Sequence, residues 1–458
     1  MNENPVALPS SYRDPAGYVF RQDGLIYRMI TREGKAAYER LMNSGLYQAL
    51  IQKNILLPHA EMPADFNGPV GYKIILPEQL HFTTYAWEWS FDQLKDAALL
   101  TLESGRIALE HGMMLKDATP YNIQWHNGAL RFIDTLSFEP YTEGKPWIAY
   151  RQFCESFLSP LLLMHYCKQS LHQLQLAWPD GIPLAVTRAL LPWRSRLSML
   201  TWMHIHLHAK YAAKPAIAKE NTAQVSLAKT KQLLSSLDLL VRSLSLRDEG
   251  TTWGDYYTEA ASRNDYLSQK EKIIQDWTRD LPGISQAVDF GANNGSFSLP
   301  LAEKGIFTIA ADGDPVAVNK LYKKISAGRI RNMTPVILDF TNPSPAMGLG
   351  NDERTSFLSR IGDQNLGFCL AFIHHLCIGK NIPLQRVAEL MVRSCKQLII
   401  EFVPKEDEKA TLLLARKKDI YPDYHIDGFE NAFAQFFSIV KKNVIPGSCR
   451  TLYQMQRK

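Results

Sequence analysis

Short apolar runs alternate with longer amphipathic stretches through the C-terminal half of the chain. The runs QAVDF, TIAAD, PVILDF, LGFCLAFI and QLIIEFV read as strands, with helical stretches between them. Alternation of this kind predicts an α/β fold: an open, doubly wound, mainly parallel sheet with helices on both faces. The first 146 residues follow another pattern. GYVFRQDGLIYRMI (Gly17–Ile30) places two apolar runs around Asp23-Gly24, the dipeptide of a tight hairpin. GYKIILP (Gly71–Pro77) reads as a further strand. FDQLKDAALLTLESGRIALEHG (Phe91–Gly112) reads as a helix, with Leu94, Ala97, Ala98 and Leu102 at three-four spacing and Gly112 as its stop. This part is expected to be α+β.

From Trp147 to about Leu200 the segments are helical and apolar, interrupted by Pro160, Pro179, Pro183 and Pro192. The stretch His208–Lys231 is rich in Ala and Lys and poor in large apolar residues, the composition of a linker or exposed helical spacer. The expected division is an α+β domain over residues 1–205, a helical linker over 206–249 and an α/β domain over 250–458.

Composition narrows the class without naming it. A chain of 458 residues exceeds one ordinary domain, and 46% apolar with 21% charged residues describes a soluble protein with ample core. A net charge of +5 permits anionic partners without arguing for them. No dense basic stripe with interleaved aromatics stands out, so nucleic acid is not indicated. The six cysteines are scattered, as expected for buried thiols in a reducing cytoplasm. MNENPVALPSSYRDPAG has no basic segment leading into an apolar one, so secretion is not expected. FLSPLLLMHYC (Phe157–Cys167) is too short to span a bilayer. The expected location is cytoplasmic, with no membrane span.

Each predicted C-terminal strand ends in or beside a polar residue: Asp289, Asp312, Asp339, His374 and Glu401. Ligands of open α/β sheets bind beyond the carboxyl ends of the strands, so these are the candidate site residues. The loop after the first strand carries Gly291, Asn293 and Gly295. It departs from the dinucleotide fingerprint, having Asn293 and Ser296 where glycines are wanted. Asp289, two residues before Gly291, would repel a pyrophosphate. Asp312 lies twenty-three residues after Asp289, where a carboxylate accepts ribose hydroxyls. Asp339 is placed to meet a purine edge. One such acid is as readily a cap or turn residue; three at successive strand ends argue for a shared ligand. With no basic residue in these loops, a nucleoside that lacks phosphate and carries positive charge fits, and S-adenosylmethionine is such a molecule. His374 or His375, after the fourth strand, are candidates to take a proton from an acceptor. Glu401 is a candidate to orient that acceptor, and Asn342–Arg360 is expected to form a substrate-facing loop.

AVDFGANNG, IAADGDP and VILDF together resemble the successive cofactor motifs of class I S-adenosylmethionine-dependent methyltransferases, over roughly Trp253 to Glu401. The resemblance implies a Rossmann-like methyltransferase domain with S-adenosyl-L-methionine as cofactor. It implies that Asp289, Gly291, Asn293 and Gly295 contact the methionine part, Asp312 the ribose and Asp339 the adenine. Asn293 stands where glycine is commoner, and the family's Asn-Pro-Pro-Tyr type motif for amine methylation is absent.

In HGMMLKDATPYNIQWHNGALRFIDTLSFE (His111–Glu139), Asp117 and Asn122 are five apart and Asp134 ends an apolar strand. This stretch resembles the catalytic and metal-binding segment of the protein-kinase-like fold. There the first Asp orients an acceptor hydroxyl, while the Asn and second Asp hold magnesium. Leu-Lys-Asp replaces the usual His-Arg-Asp, and Asp-Thr-Leu replaces Asp-Phe-Gly. No glycine-rich phosphate loop is visible, and only Arg28 and Lys73 offer themselves as the phosphate-anchoring cation. The implied module is degenerate, with a vestigial site at Asp117, Asn122 and Asp134. His204 and His208 share a helical face but have no evident third ligand, so they read as surface or interface histidines.

The whole layout resembles a bacterial family that includes a rhizobial host-specificity nodulation protein. The function expected is methyl transfer to an oxygen or nitrogen of a small-molecule, glycan or lipid acceptor. A bifunctional kinase-methyltransferase and a non-catalytic ligand-binding scaffold are the alternatives.

Overall fold

The computed structural model describes residues 4–212, 224–246, 264–279, 281–415 and 417–458. The chain divides into two compact units. The first comprises Met1–Arg247 with Ala346–Thr355; the second comprises Asp248–Pro345 and Ser356–Lys458.

The first unit opens with a five-stranded antiparallel sheet. Its strands are β1 (Val6–Ala7), β2 (Gly17–Gln22), β3 (Leu25–Ile30), β4 (His59–Glu61) and β5 (Lys73–Pro77), in the order β1-β2-β3-β5-β4. Asp23 and Gly24 adopt φ of 48° and 76°, the paired left-handed conformation of a two-residue hairpin turn. The expected helix spans Phe91–Glu110, and Gly112 follows it at φ 68°. Two short ladders come next: β6 (Met113–Leu115) with β9 (Phe138–Pro140), and β7 (Ile123–His126) with β8 (Ala129–Phe132). The loop carrying Asp117 and Asn122 therefore lies between β6 and β7, and Asp134 lies between β8 and β9.

The boundary differs from the one expected. Leu227–Ser243 is a helix that buries Leu234, Leu237, Leu240 and Val241, and it belongs to the first unit. Leu234 lies against Gly105 of the Phe91–Glu110 helix. Leucines at three-four spacing give it a core-facing stripe that the Ala- and Lys-rich residues before it obscure. The parts of the expected linker at 213–223 and 247–249 lie outside the described residues.

The second unit is built on a seven-stranded sheet. Its strands are β10 (Gln286–Phe290), β11 (Phe307–Asp312), β12 (Met333–Ile337), β13 (Gln364–Cys369), β14 (Cys395–Phe402), β15 (Phe437–Val444) and β16 (Thr451–Arg457). Their order is β12-β11-β10-β13-β14-β16-β15. The first five run parallel, and β16 pairs antiparallel with both β14 and β15. Ala287, Leu366, Phe368 and Ile399, at alternate strand positions, bury one face of the sheet against Ile274 and Trp277 of the helix Asn264–Arg279. The order reverses between β10 and β13, which opens a crevice at their carboxyl ends.

Among the described residues no helix is long and apolar enough to cross a membrane. Four of the cysteines are buried as expected, but Cys167 and Cys449 are exposed, and all six are free thiols.

Candidate functional site

Three carboxylates gather at the carboxyl ends of β10, β11 and β12. Asp289 is the fourth residue of β10 and is buried; Ser298 donates its hydroxyl to Asp289 Oδ2. Burial pushes the Asp289 carboxyl up to about 7, and the neighbouring Asp312 adds to the rise. Asp312 closes β11 and is half-buried. Its Oδ2 accepts the Asn293 N–H at 2.8 Å and its Oδ1 accepts the Asp314 N–H at 2.8 Å. Burial raises it to about 6 against the pull of those amides. Each oxygen keeps a second lone pair, which is what a ribose diol needs. Asp339 lies two residues beyond the end of β12 and accepts the N–H and hydroxyl of Thr341 at 2.8 and 2.6 Å.

The backbone of the intervening loop is shaped for close approach. Gly291, Asn293 and Gly295 have φ of 90°, 48° and 78°. At Gly291 a Cβ would meet the Phe372 ring at 3.3 Å, so the loop lies directly against that aromatic. Asn293 occupies the left-handed region that asparagine tolerates better than most residues, which accounts for its standing where glycine was expected.

Phe340 and Phe372 are site neighbours that the sequence did not point to. Phe290, Phe340 and Phe372 form an edge-to-face series, with centroids 4.8 and 5.4 Å apart. Phe340 adjoins Asp339, and Phe372 adjoins Gly291. The only sequence signal was their position directly after the strand ends.

The acceptor-side residues sit differently from expectation. β13 ends at Cys369, so His375 opens a turn of π-helix (His375–Gly379), with His374 as its N-cap, away from the strand end. Their rings lie 3.9 Å apart. His374 is fully buried, and neither ring nitrogen has a hydrogen-bond partner. Burial holds it well below its usual range, helped by His375, Arg450 and Lys270. His375 is half-buried and is pushed down to about 4 by burial, then by Arg450 and Lys409. Both rings are therefore neutral at physiological pH.

Glu401 is fully buried and both of its oxygens are engaged, in place of the acceptor contact expected. Lys270 donates to Oε2 at 2.5 Å, Tyr266 donates to Oε1, and the Arg450 guanidinium lies 3.4 Å from Oε1. Arg450 also pairs with Asp407 at 2.8 and 3.0 Å. Burial would raise the Glu401 carboxyl, but Lys270 and Arg450 hold it down at about 2. Two cations and two anions close this cluster on itself.

The expected substrate-facing loop, Asn342–Arg360, gives its middle to the first unit. There Glu353 accepts from Tyr12 at 2.6 Å and Arg13 at 2.8 Å, and the Arg354 guanidinium lies 3.9 Å over the Tyr121 ring. Glu353 and Arg354 are thus both engaged within the first unit.

Within the first unit the spacing of Asp117, Asn122 and Asp134 does bring them together. Asn122 Nδ2 donates to Asp117 Oδ2 at 3.1 Å and to Ser137 Oγ at 2.9 Å, while Ser137 donates to Asp134 Oδ2 at 2.5 Å. Asp117 Oδ1 is buried without a partner, and burial raises that carboxyl. The Arg28 guanidinium, from β3, forms an ion pair with Asp134 Oδ1. Lys73 instead pairs with Glu61 at 2.5 Å. His204, expected at a surface or an interface, is fully buried within the first unit between Tyr150 (2.8 Å) and Ser236 (3.1 Å).

A reversed, mainly parallel sheet with acids at three successive strand ends makes the second unit a Rossmann-like α/β domain. The chain as a whole belongs to the family of nodulation protein NoeA of Rhizobium meliloti (strain 1021). It is 33% identical to that protein over 473 residues, covering 99% of this chain and 96% of the relative. No family model matches it. Among solved structures, it is similar to magnesium protoporphyrin IX methyltransferase from Synechocystis (16% identity, 43% of this chain and 87% of that one, TM-score 0.31). It is similar also to the N-methyltransferase NodS from Bradyrhizobium japonicum (10% identity, 42% and 87%, TM-score 0.32). A third is the bifunctional kinase-methyltransferase WbdD (16% identity, 43% and 39%, TM-score 0.29).

Proposed function

We propose that the second unit binds S-adenosylmethionine and catalyses transfer of its methyl group to an oxygen or nitrogen of a small-molecule, glycan or lipid acceptor. The observation that carries this reading is the convergence of Asp289, Asp312 and Asp339 on one crevice whose loops hold no cation. Such a site suits a ribose and a positively charged tail and repels phosphate. Asp312 takes the ribose hydroxyls, Asp339 and Phe340 border the base, and Asp289 with the Gly291–Gly295 backbone faces the methionine end. The sulfonium supplies an electrophilic methyl; the acceptor lone pair forms the new bond as the carbon–sulfur pair returns to sulfur.

The protein's own contribution is mainly alignment and exclusion of water. His375 receives the acceptor's proton in this reading, which its half-burial and neutral ring support. Its depressed basicity makes that assistance modest. Glu401 acts on the architecture, holding Lys270 and Arg450 beneath the same strand ends. The first unit is read as a kinase-like module in which Arg28 takes the place of a metal at Asp134, so that it binds or positions rather than phosphorylates.

Incubation with methyl-labelled S-adenosylmethionine and fractionated extract tests the central claim. Label is expected in one acceptor fraction, and less of it with His375→Ala at unchanged cofactor affinity. Cofactor binding without transfer to any fraction would favour the scaffold alternative.

A further inference from the structure

Large apolar side chains exposed on the first unit concentrate in one stretch. Leu190, Trp193, Leu197, Met199, Trp202 and Tyr211 range from 44% exposed at Trp202 to 81% at Met199. They lie on a succession of short helical pieces: Leu184–Leu190, Trp193–Leu197, Met199–Thr201, Trp202–Leu207 and His208–Ala212. Leu191, Ser195, Thr201 and Ile205 of the same stretch are buried, so the backbone is held to the unit while the large side chains face outward. Scattered exposed apolar residues are ordinary; a cluster of this density marks an interaction surface.

Its charge is one-sided. Between Asp180 and Glu220 the chain has Arg188, Arg194, Arg196, Lys210, Lys214 and Lys219 and no acidic residue. A cleft of about 240 Å³ is lined by His165, Tyr166, Lys168, Arg194 and Ser245, again without a carboxylate. It adjoins the apolar stretch through Arg194, the residue after Trp193.

We infer that this surface docks on an anionic phospholipid bilayer. Tryptophan and tyrosine settle at the headgroup boundary, aliphatic and methionine side chains enter the acyl edge, and flanking arginines meet phosphates. The cleft provides a place for one phosphate headgroup among Lys168, Arg194 and His165. A second copy of the chain fits less well, because a two-fold contact would set this acid-free, cation-bearing stretch against itself. Single-stranded nucleic acid would use the aromatics and cations but has no use for Leu190, Leu197 and Met199. The inference is independent of methyl transfer by the second unit.

Sedimentation of the full chain with vesicles tests it. Vesicles of phosphatidylcholine mixed with phosphatidylglycerol are expected to carry the protein down, those of phosphatidylcholine alone to leave it in solution, and added salt to weaken binding. Arg194→Glu with Arg196→Glu, and separately Met199→Glu, should each weaken binding about tenfold or more. Met199→Glu changes an exposed thioether side chain while the Met199 carbonyl still accepts from the Trp202 N–H, and an unaltered circular dichroism melt checks its fold. Wild type that ignores anionic vesicles, or variants that bind like wild type, would overturn the inference. So would a dimer that Met199→Glu dissociates, or tighter binding to a single-stranded oligonucleotide than to vesicles.

Discussion

Asn293 donates its backbone N–H to Asp312 Oδ2 at 2.8 Å, tying the loop after β10 to the carboxylate that closes β11. One residue thus shapes the loop and presents acceptor lone pairs to the crevice. If those lone pairs receive the ribose, Asp312→Ala removes charge-assisted bonds worth roughly 1.5–3 kcal/mol each. Affinity for S-adenosylhomocysteine, measured by titration calorimetry, is expected to fall about tenfold or more. Asp312→Asn, which retains one oxygen acceptor, should lose less. Undiminished affinity in Asp312→Ala would place the ribose elsewhere.

The same burial predicts a pH dependence. Asp312 rests at about 6 and Asp289 at about 7, both raised above the ordinary carboxylate range by burial. Protonation removes the negative charge that faces the ligand, so affinity for S-adenosylhomocysteine should decline as pH falls through that window. Stability responds with the opposite sign. A carboxyl raised on folding contributes fully below its unfolded pKa of about 3.9 and loses that contribution as pH rises through the folded value. Calorimetric titrations and ligand-free melts over this range should therefore diverge. A flat affinity profile would show that neither acid faces the ligand.

Local signals explain what the sequence made visible. The Asp23-Gly24 hairpin, the parallel strands and the acids at their ends depend on residues within one turn or one strand. The antiparallel pair β15 and β16 was less legible because β15 is mostly exposed and its apolar start is cut short by Lys441 and Lys442. Long-range partners were not visible at all. Glu401 meets Lys270 and Arg450 across 131 and 49 residues, and Arg28 meets Asp134 across 106. No periodicity encodes such pairings, so the sequence assigned Glu401 to an acceptor and left Arg28 a phosphate anchor.

Lys270 and Glu401 are both almost wholly buried, with Tyr266 and Arg450 completing the shell. Removing one member of such a pair leaves a buried charge short of its partner, at a cost of about 3–5 kcal/mol. Lys270→Met and Glu401→Gln are each expected to lower the midpoint of urea unfolding by a corresponding amount. Glu401, held at about 2 by Lys270 and Arg450 against the effect of burial, contributes stability above the unfolded carboxyl pKa. That contribution is lost as pH falls towards 2, and Glu401→Gln should abolish this part of the acid transition. Wild-type-like unfolding of both variants would mean that the cluster adds nothing to the fold.

Asp117, Asn122 and Asp134 are linked through the Asn122 amide and Ser137, and Arg28 already neutralises Asp134. A divalent cation entering there would have to displace a guanidinium and then complete its oxygen shell mainly from nucleotide phosphates. Lys73, the other cation considered for those phosphates, is committed to Glu61. Magnesium and ATP are therefore expected to leave the melting temperature of the wild-type chain unchanged and to yield no more than trace phosphate. Asp134→Asn weakens the pairing with Arg28 inside the first unit, and affinity for S-adenosylhomocysteine in the second should not change. A magnesium-dependent stabilisation by ATP, lost in Asp134→Asn and accompanied by phosphorylated product, would overturn this and give the first unit a kinase activity.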